Sequence, residues 1–156
     1  HPEMVEVLEG PGGIRVPAVI EWPTRIKPGS HSDVPVGTVG LLPAIGSLVG
    51  ASVLKTRVPV DGIDLQPLFD DQMTERPKPL PFSWTKSVGL VDNRYKICLG
   101  DPDNKKLTDQ WRLFDLREDP EEAHNLAAQR PELLAEMQQQ LEQWMESTKA
   151  TARKKK

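Results

Sequence analysis

The stretch L-R-E-D-P-E-E-A-H-N-L-A-A-Q-R-P-E-L-L-A-E-M, residues 116–137, decides how this chain is read. Four acidic residues fall within positions 118–122, followed by His124, Asn125 and a leucine-spaced run opened by Pro131. Either His124 and its acidic neighbours form a site for metal or proton transfer, or the stretch is a corner. The corner reading accounts for more of the residues. Asp119 suits the N-cap of a helical turn, Pro120 its first position, and Glu122 its third, which is the D-x-x-E form of a capping box. Asn125 suits a left-handed residue ending that turn, and Leu126 can then enter a core. A catalytic His124 needs a second ligand or an aimed carboxylate, and neither H-x-x-H nor H-E-x-x-H occurs. The stretch reads as a fold element.

Beyond it, Leu134, Met137, Leu141 and Trp144 recur at spacings of three, four and three, predicting a helix over 131–147 with one apolar stripe. The tail from 148 to 156 has no apolar face and reads as a disordered basic end. Upstream, W-T-K-S-V-G-L-V and R-Y-K-I-C-L-G (84–91 and 94–100) predict a hairpin turning at Asp92-Asn93, and W-R-L-F-D-L (111–116) a third strand. The intervening D-P-D-N-K-K-L-T-D-Q (101–110) reads as a polar loop.

The first half is different in texture. Most of the fifteen prolines precede residue 82, which predicts loops and short elements. I-R-V-P-A-V-I-E-W (14–22) reads as a buried strand, with Pro17 calling for an edge or bulge. L-L-P-A-I-G-S-L-V-G-A (41–51) shows the i, i+3, i+4, i+7 pattern of a short helix. Residues 52–81 read as a long connection with one helical turn around Leu65 to Phe69.

The 156 residues suffice for one compact domain or a piece of a larger one. A net charge of −3 gives no electrostatic reason to expect nucleic acid or an anionic membrane. No apolar run approaches the roughly 18 residues of a membrane span, and H-P-E-M-V-E-V-L-E-G lacks the features of a signal peptide. The chain opens on His rather than Met, which raises the expectation of a preceding segment.

The remaining candidate residues carry weak signals. Cys98 is the only cysteine and reads as strand packing. Asp61 and Asp64 in D-G-I-D-L lack the spacing of a calcium loop. G-P-G-G (10–13) precedes a strand, where phosphate-cradling loops follow one. Ser30, His31, Ser32 and Asp33 share a loop, and neighbours in sequence do not make a triad. No G-x-S-x-G elbow occurs. The residues alone identify no active site.

Five stretches, in register over residues 9–147, resemble the C-terminal part of a sulfatase of the arylsulfatase type, in the alkaline phosphatase superfamily. G-G-I-R-V-P-A-V-I-E-W-P-T-R-I-K-P-G-S-H-S-D (12–33) resembles the E-G-G-x-R-V-P strand and its W-P loop through Gly12, Gly13, Arg15, Pro17, Trp22 and Pro23. V-G-L-L-P-A-I-G-S-L-V-G-A (39–51) is similar to the following helix. V-D-G-I-D-L-Q-P-L-F (60–69) is similar to the D-G-x-[SD]-L-x-P-L-L segment through Asp61, Gly62, Leu65, Pro67 and Leu68. V-D-N-R-Y-K-I-C-L (91–99) resembles the R-D-G-x-Y-K hairpin. L-F-D-L-R-E-D-P-E-E-A-H-N-L-A (113–127) resembles the D-L-x-x-D-P-x-E-x-x-N-L segment, the most distinctive of the five.

The resemblance implies an α+β fold: the end of an alkaline-phosphatase-like α/β sulfatase domain (residues 1–81), then a small antiparallel sheet packed on a long C-terminal helix (82–147). It implies hydrolysis of a sulfate ester outside the cytoplasm, with a formylglycine as nucleophile and a calcium ion held by Asp and Asn ligands. Those groups belong to the N-terminal catalytic portion of the family. Within this chain the resemblance therefore implies a structural, cleft-lining role, no catalytic residue and no metal ligand, while substrate-binding residues stay unassigned. Cys98 is followed by Leu-Gly-Asp, which does not match the [CS]-x-[PA]-x-R motif that is modified. Two departures stand out: Glu6 occupies the place of a sulfate-binding lysine, and Pro11 that of the Glu in E-G-G. They point to a differently shaped loop or a weakened enzyme. Two other readings stay open at this point, a phosphoesterase of the same superfamily and a non-catalytic binding or assembly module.

Overall fold

The computed structural model describes residues 16–51, 60–84, 87–100 and 110–153. Glu6, the G-P-G-G at 10–13, Ile14, Arg15 and most of the 101–110 loop lie outside the described residues. Two compact units are built on Val19–Leu80 and on Pro81–Met145.

The second unit is a four-stranded sheet in the order β1-β2-β3-β4 with a long helix. The strands are β1 (Leu80–Trp84), β2 (Ser87–Val91), β3 (Tyr95–Leu99) and β4 (Trp111–Asp115). Antiparallel pairing sets Leu90 opposite Ile97 and Ile97 opposite Leu113. Because side chains alternate along a strand, this register stacks Leu90, Ile97 and Leu113 on one face. The helix Pro131–Arg153 lays Met137 and Leu141 on them, and Leu134 and Trp144 pack at the margin. The stripe read from the sequence is the one that is buried.

Three elements differ from expectation. β1 starts inside the stretch read as a connection ending at 81 and runs past it to Trp84. Pro81 hid it, and the strand tolerates that proline because it lies at the sheet edge. The hairpin turns at Asn93-Arg94 rather than Asp92-Asn93: the Asp92 N–H donates to the Tyr95 carbonyl at 2.9 Å, closing the ladder. The long helix also continues to Arg153, past the predicted end at 147 and into the tail read as disordered. A nucleated helix propagates through good helix formers such as Lys149, Ala150 and Ala152 without an apolar face.

In the first unit a 3-10 turn (Thr38–Gly40) leads into α1 (Leu41–Leu48), and a single turn, α2 (Gln66–Phe69), follows. The long helix is α3. Pro43, Ala44 and Gly46 of α1 are buried, and Ala44 clusters with Ile63 and Leu65. The backbones approach closely here. A Cβ on Gly62 would overlap the Val39 carbonyl, which is why the D-G segment carries glycine. The W-P loop is tied to α2 by Arg25, whose guanidinium lies 5.4 Å from the Trp22 ring centroid and reaches Asp70 at 2.8 Å and Gln66 at 2.9 Å. Trp22 meets Phe69 edge-on at 6.3 Å.

The expected strand at 14–22 is not found: described residues 16–22 belong to no ladder. A strand exists only through hydrogen bonds to a neighbour, and the composition of V-P-A-V-I cannot supply one.

Candidate functional site

The opening stretch, from β4 to α3, is a corner whose parts work differently from the capping box. Asp119 caps no helix, since 120–124 form a turn; instead its Oδ1 accepts from the Ala123 N–H at 3.0 Å and its Oδ2 from the His124 N–H at 2.7 Å, four and five residues on. These donors, the His124 N–H foremost, hold the Asp119 carboxyl below the usual carboxylate range. Glu122 does not return to the cap. It stands at φ 58°, the left-handed conformation expected of Asn125, and points its carboxylate at Lys96. The Lys96 ammonium lies 2.7 and 2.6 Å from the two Glu122 oxygens, with side-chain exposures of only 1% and 7%.

That ion pair explains the backbone. Lys96 sits between apolar neighbours in β3, on the sheet face opposite Ile97, so its side chain is shielded from bulk solvent. A buried ammonium needs an anion at hydrogen-bond distance, and the left-handed Glu122 delivers one. Sequence reading missed this partnership. The signal was a lysine at an inward position of a strand, but spacing alone does not say which acid meets it.

Asn125 serves the β4 edge. Its Oδ1 accepts from the Leu113 N–H at 3.1 Å and the Ala127 N–H at 3.0 Å, while the Leu126 N–H donates to the Leu113 carbonyl at 2.8 Å. The corner thus pairs with the edge strand and covers it. Next to it, Asp115 Oδ2 accepts from Arg94 Nη2 at 2.6 Å and Nε at 2.9 Å, and Arg94 in turn lies over Tyr95. Arg94, helped by the N–H groups of Arg117 and Glu118, holds the Asp115 carboxyl down.

The other candidates are scattered. His124 is exposed, with Nδ1 at 3.6 Å from Asp119, whose lone pairs already serve the backbone. His31 and Asp33 make an exposed contact of 3.2 Å, and Ser32 Oγ accepts from the Val34 N–H. Asp64 accepts from Ser47 Oγ at 2.7 Å and from the Gln66 N–H at 3.0 Å. It links α1 to α2 and is not joined with Asp61 into a ligand set. Burial pushes the Cys98 thiol up, away from reactivity. Among the described residues no three His, Cys, Asp or Glu side chains gather as metal donors. These residues do not fit the calcium that the resemblance implies, and no step of hydrolysis is routed through them.

The model of the family described as N-sulphoglucosamine sulphohydrolase, C-terminal, matches residues 11–151. The chain belongs to this C-terminal sulfatase family. An uncharacterized sulfatase of Schizosaccharomyces pombe is 32% identical over 144 residues, 86% of this chain and 25% of its own length. The N-acetylgalactosamine-6-O-sulfatase of Bacteroides thetaiotaomicron is 22% identical over 141 residues, 83% of this chain and 27% of its own. The structure of BT4656 with its substrate D-glucosamine-2-N,6-O-disulfate superposes with a TM-score of 0.65 at 21% identity, over 85% of this chain and 28% of that one. That likeness establishes the fold. The sulfatase chain described here spans about a quarter of the length of these proteins. Among the described residues no helix is long and apolar enough to cross a membrane.

Within the family D-P-x-E-x-x-N-L segment, each named residue now has a physical task. Asp119 closes the turn on the Ala123 and His124 N–H groups, Pro120 follows it, Glu122 neutralises Lys96 of the Y-K hairpin, Asn125 holds the β4 edge, and Leu126 packs against the core.

Proposed function

We propose that this chain is the C-terminal, cleft-lining part of a longer sulfatase that hydrolyses a sulfate ester, with the catalytic residues and metal ligands in its N-terminal portion. The observation that carries this reading is the family match across residues 11–151. The chain's own contribution is a rigid sheet-and-helix unit, whose polar groups are spent on holding the fold. A sulfated sugar is one substrate class two relatives suggest, an N-acetylgalactosamine-6-O-sulfatase by its name and a structure bound to a disulfated glucosamine, beside steryl- and choline-sulfatases. The longer protein acts outside the cytoplasm, in keeping with the family resemblance.

The test is to express the complete reading frame containing this chain. Sulfate release is then assayed from an aryl sulfate and from N- and 6-O-sulfated glucosamine, with matching phosphate esters alongside. Sulfate release, together with a formylglycine seen by mass spectrometry, is the expected outcome, and the 156-residue chain alone should release none. Phosphate release in its place overturns the reading for a phosphoesterase. Absence of both, in a folded protein, overturns it for a binding module.

A further inference from the structure

Charge is unevenly spread along this chain. Residues 149–156, K-A-T-A-R-K-K-K, hold five of the 20 basic side chains and no acid. The other residues hold 15 basic side chains against all 23 acids, a balance of −8. The basic block thus opposes the charge of everything before it, and the overall −3 conceals it. Capping does not account for the block. A helix end carries about half a negative charge, which one lysine in the last turn answers. Packing does not account for it either. α3 packs on the core as far as Trp144, yet it continues to Arg153, about 13 Å further along its axis. Beyond Met145 it offers no large apolar residue. Lys149 is exposed and joins no carboxylate among the described residues, and Arg153 follows it one turn on, at i+4.

We propose that this basic segment, carried at the end of α3, is a docking surface for a sulfated polysaccharide chain. The inference rests on the sulfatase reading and on sulfated sugars as its substrate class. Short runs rich in Lys and Arg are the footprint of polyanion binding. Sulfate groups stay ionised at physiological pH and accept charge-assisted hydrogen bonds from ammonium and guanidinium donors. The composition favours a linear polymer over a lipid surface. A helix that binds an anionic bilayer sets Trp, Phe or Leu opposite its cations, and here only Ala and Thr stand between them. A flat anionic surface along α3 would also meet Glu132, Glu136 and Glu142. Glu142 lies about 16 Å of helix before Arg153, twice the Debye length of about 8 Å in physiological salt. A thin chain crossing the end of the helix therefore meets the cations without those acids.

The test uses the complete reading frame in three forms. One is unmodified. A neutralised variant combines Lys149→Gln, Arg153→Gln, Lys154→Gln, Lys155→Gln and Lys156→Gln, and a charge-conserving variant changes the four lysines to Arg. Each is titrated with heparin, with desulfated heparin, with duplex DNA, and with vesicles of equal parts phosphatidylcholine and phosphatidylserine. The unmodified and charge-conserving forms should bind heparin and lose affinity as salt rises. The neutralised variant should bind about tenfold more weakly or worse, the sum of five small exposed contacts, with an unchanged unfolding temperature. Removing the sulfates from heparin should reproduce that loss.

Sulfate release from an aryl sulfate, measured on the same preparations, separates this inference from the enzymatic reading. An active sulfatase whose heparin affinity ignores the five changes overturns the docking surface alone. Absence of sulfate release, with heparin affinity that depends on them, overturns the enzymatic reading and leaves the surface standing. Tighter binding to DNA or to vesicles than to heparin, lost in the neutralised variant, assigns the segment to that polyanion and overturns the proposed partner.

Discussion

The two units each rest on a helix rich in large apolar residues, yet only one helix is covered. α3 carries a single stripe, and β2, β3 and β4 receive it, leaving Leu141 with no exposed surface. α1 is apolar on both sides, and the chain covers only the side facing Ile63 and Leu65. The strands repeat the contrast. β3 pairs on both sides, whereas the V-P-A-V-I run at 16–20 pairs with nothing in its described residues. Apolar patterning records how many layers an element is meant to meet. It does not record whether those layers lie in the same stretch of chain.

The largest effect should come from the buried ion pair of the second unit, since Arg25–Asp70 and His31–Asp33 in the first are far more exposed. Lys96→Met leaves Glu122 charged without its close cation, and Glu122→Gln leaves the ammonium in the same position. Each should cost about 3–5 kcal/mol in denaturant unfolding. The double change Lys96→Met with Glu122→Leu should recover most of that loss, because similar-sized apolar pairs substitute well for buried ions. If each single variant costs under about 1 kcal/mol, the pair is not the constraint that holds Glu122 left-handed.

Equal truncations on the two helices sharpen the comparison directly. Leu141→Ala should destabilise by about 2–5 kcal/mol, from lost burial plus the cavity left behind. Leu42→Ala, in the 156-residue chain, should fall within about 0.5 kcal/mol of wild type. Comparable losses at both positions would mean that the outer face of α1 is already covered in the isolated chain.

Glycine contacts give a smaller contrast. A Cβ at Gly89 meets mainly the ring of Phe82, with the Ile97 carbonyl at 2.9 Å, whereas one at Gly62 overlaps the Val39 backbone carbonyl far more closely. A ring can swing aside, and a carbonyl fixed between a helical turn and α1 cannot. Gly62→Ala should therefore cost more than Gly89→Ala, both within about 1–3 kcal/mol. Thermal unfolding of the two variants decides the order.

Much of the second unit was legible because its signals are local and its partners lie within seventy residues. The helix stripe at Leu134, Met137, Leu141 and Trp144, the β2–β3 hairpin and β4 follow from periodicity. The corner was legible in kind, since Asp119 ties the turn down through backbone N–H groups, but the helical turn it was expected to cap does not form. Glu122 was assigned to the cap because its spacing fits. The deciding force came from Lys96, twenty-six residues earlier and across a sheet, and no local rule contains it. β1 was lost to Pro81, whose penalty applies to central strands and not to an edge. In the first unit the helix α1 and the turn α2 were legible. The strand at 14–22 was not realised in its described residues because strand formation is a property of pairs. The side chains of the family motif are engaged in packing and hydrogen bonds, which spacing alone does not spell out.

The smallest expected effect is at acid pH, where each unit has one carboxylate held down by an arginine. Arg94 lowers the Asp115 carboxyl, and Arg25 lowers that of Asp70. With a folded pKa below the unfolded value of about 3.9, the unfolded chain takes up its proton first as pH falls. The stabilisation is therefore complete above the ordinary carboxylate range and is lost on descending from about pH 5 toward the depressed folded value. Salt should separate the two pairs. The Asp70 side chain is 35% exposed and Asp115 only 7%, and at 1 M salt screening acts over about 3 Å. Denaturant midpoints between pH 6 and 3 should thus flatten in Asp115→Asn at both low and high salt. Asp70→Asn should flatten them at low salt alone, because an exposed pair contributes little once screened. Equal salt sensitivity in the two variants would show that the Arg94–Asp115 pair is as open to solvent as its counterpart.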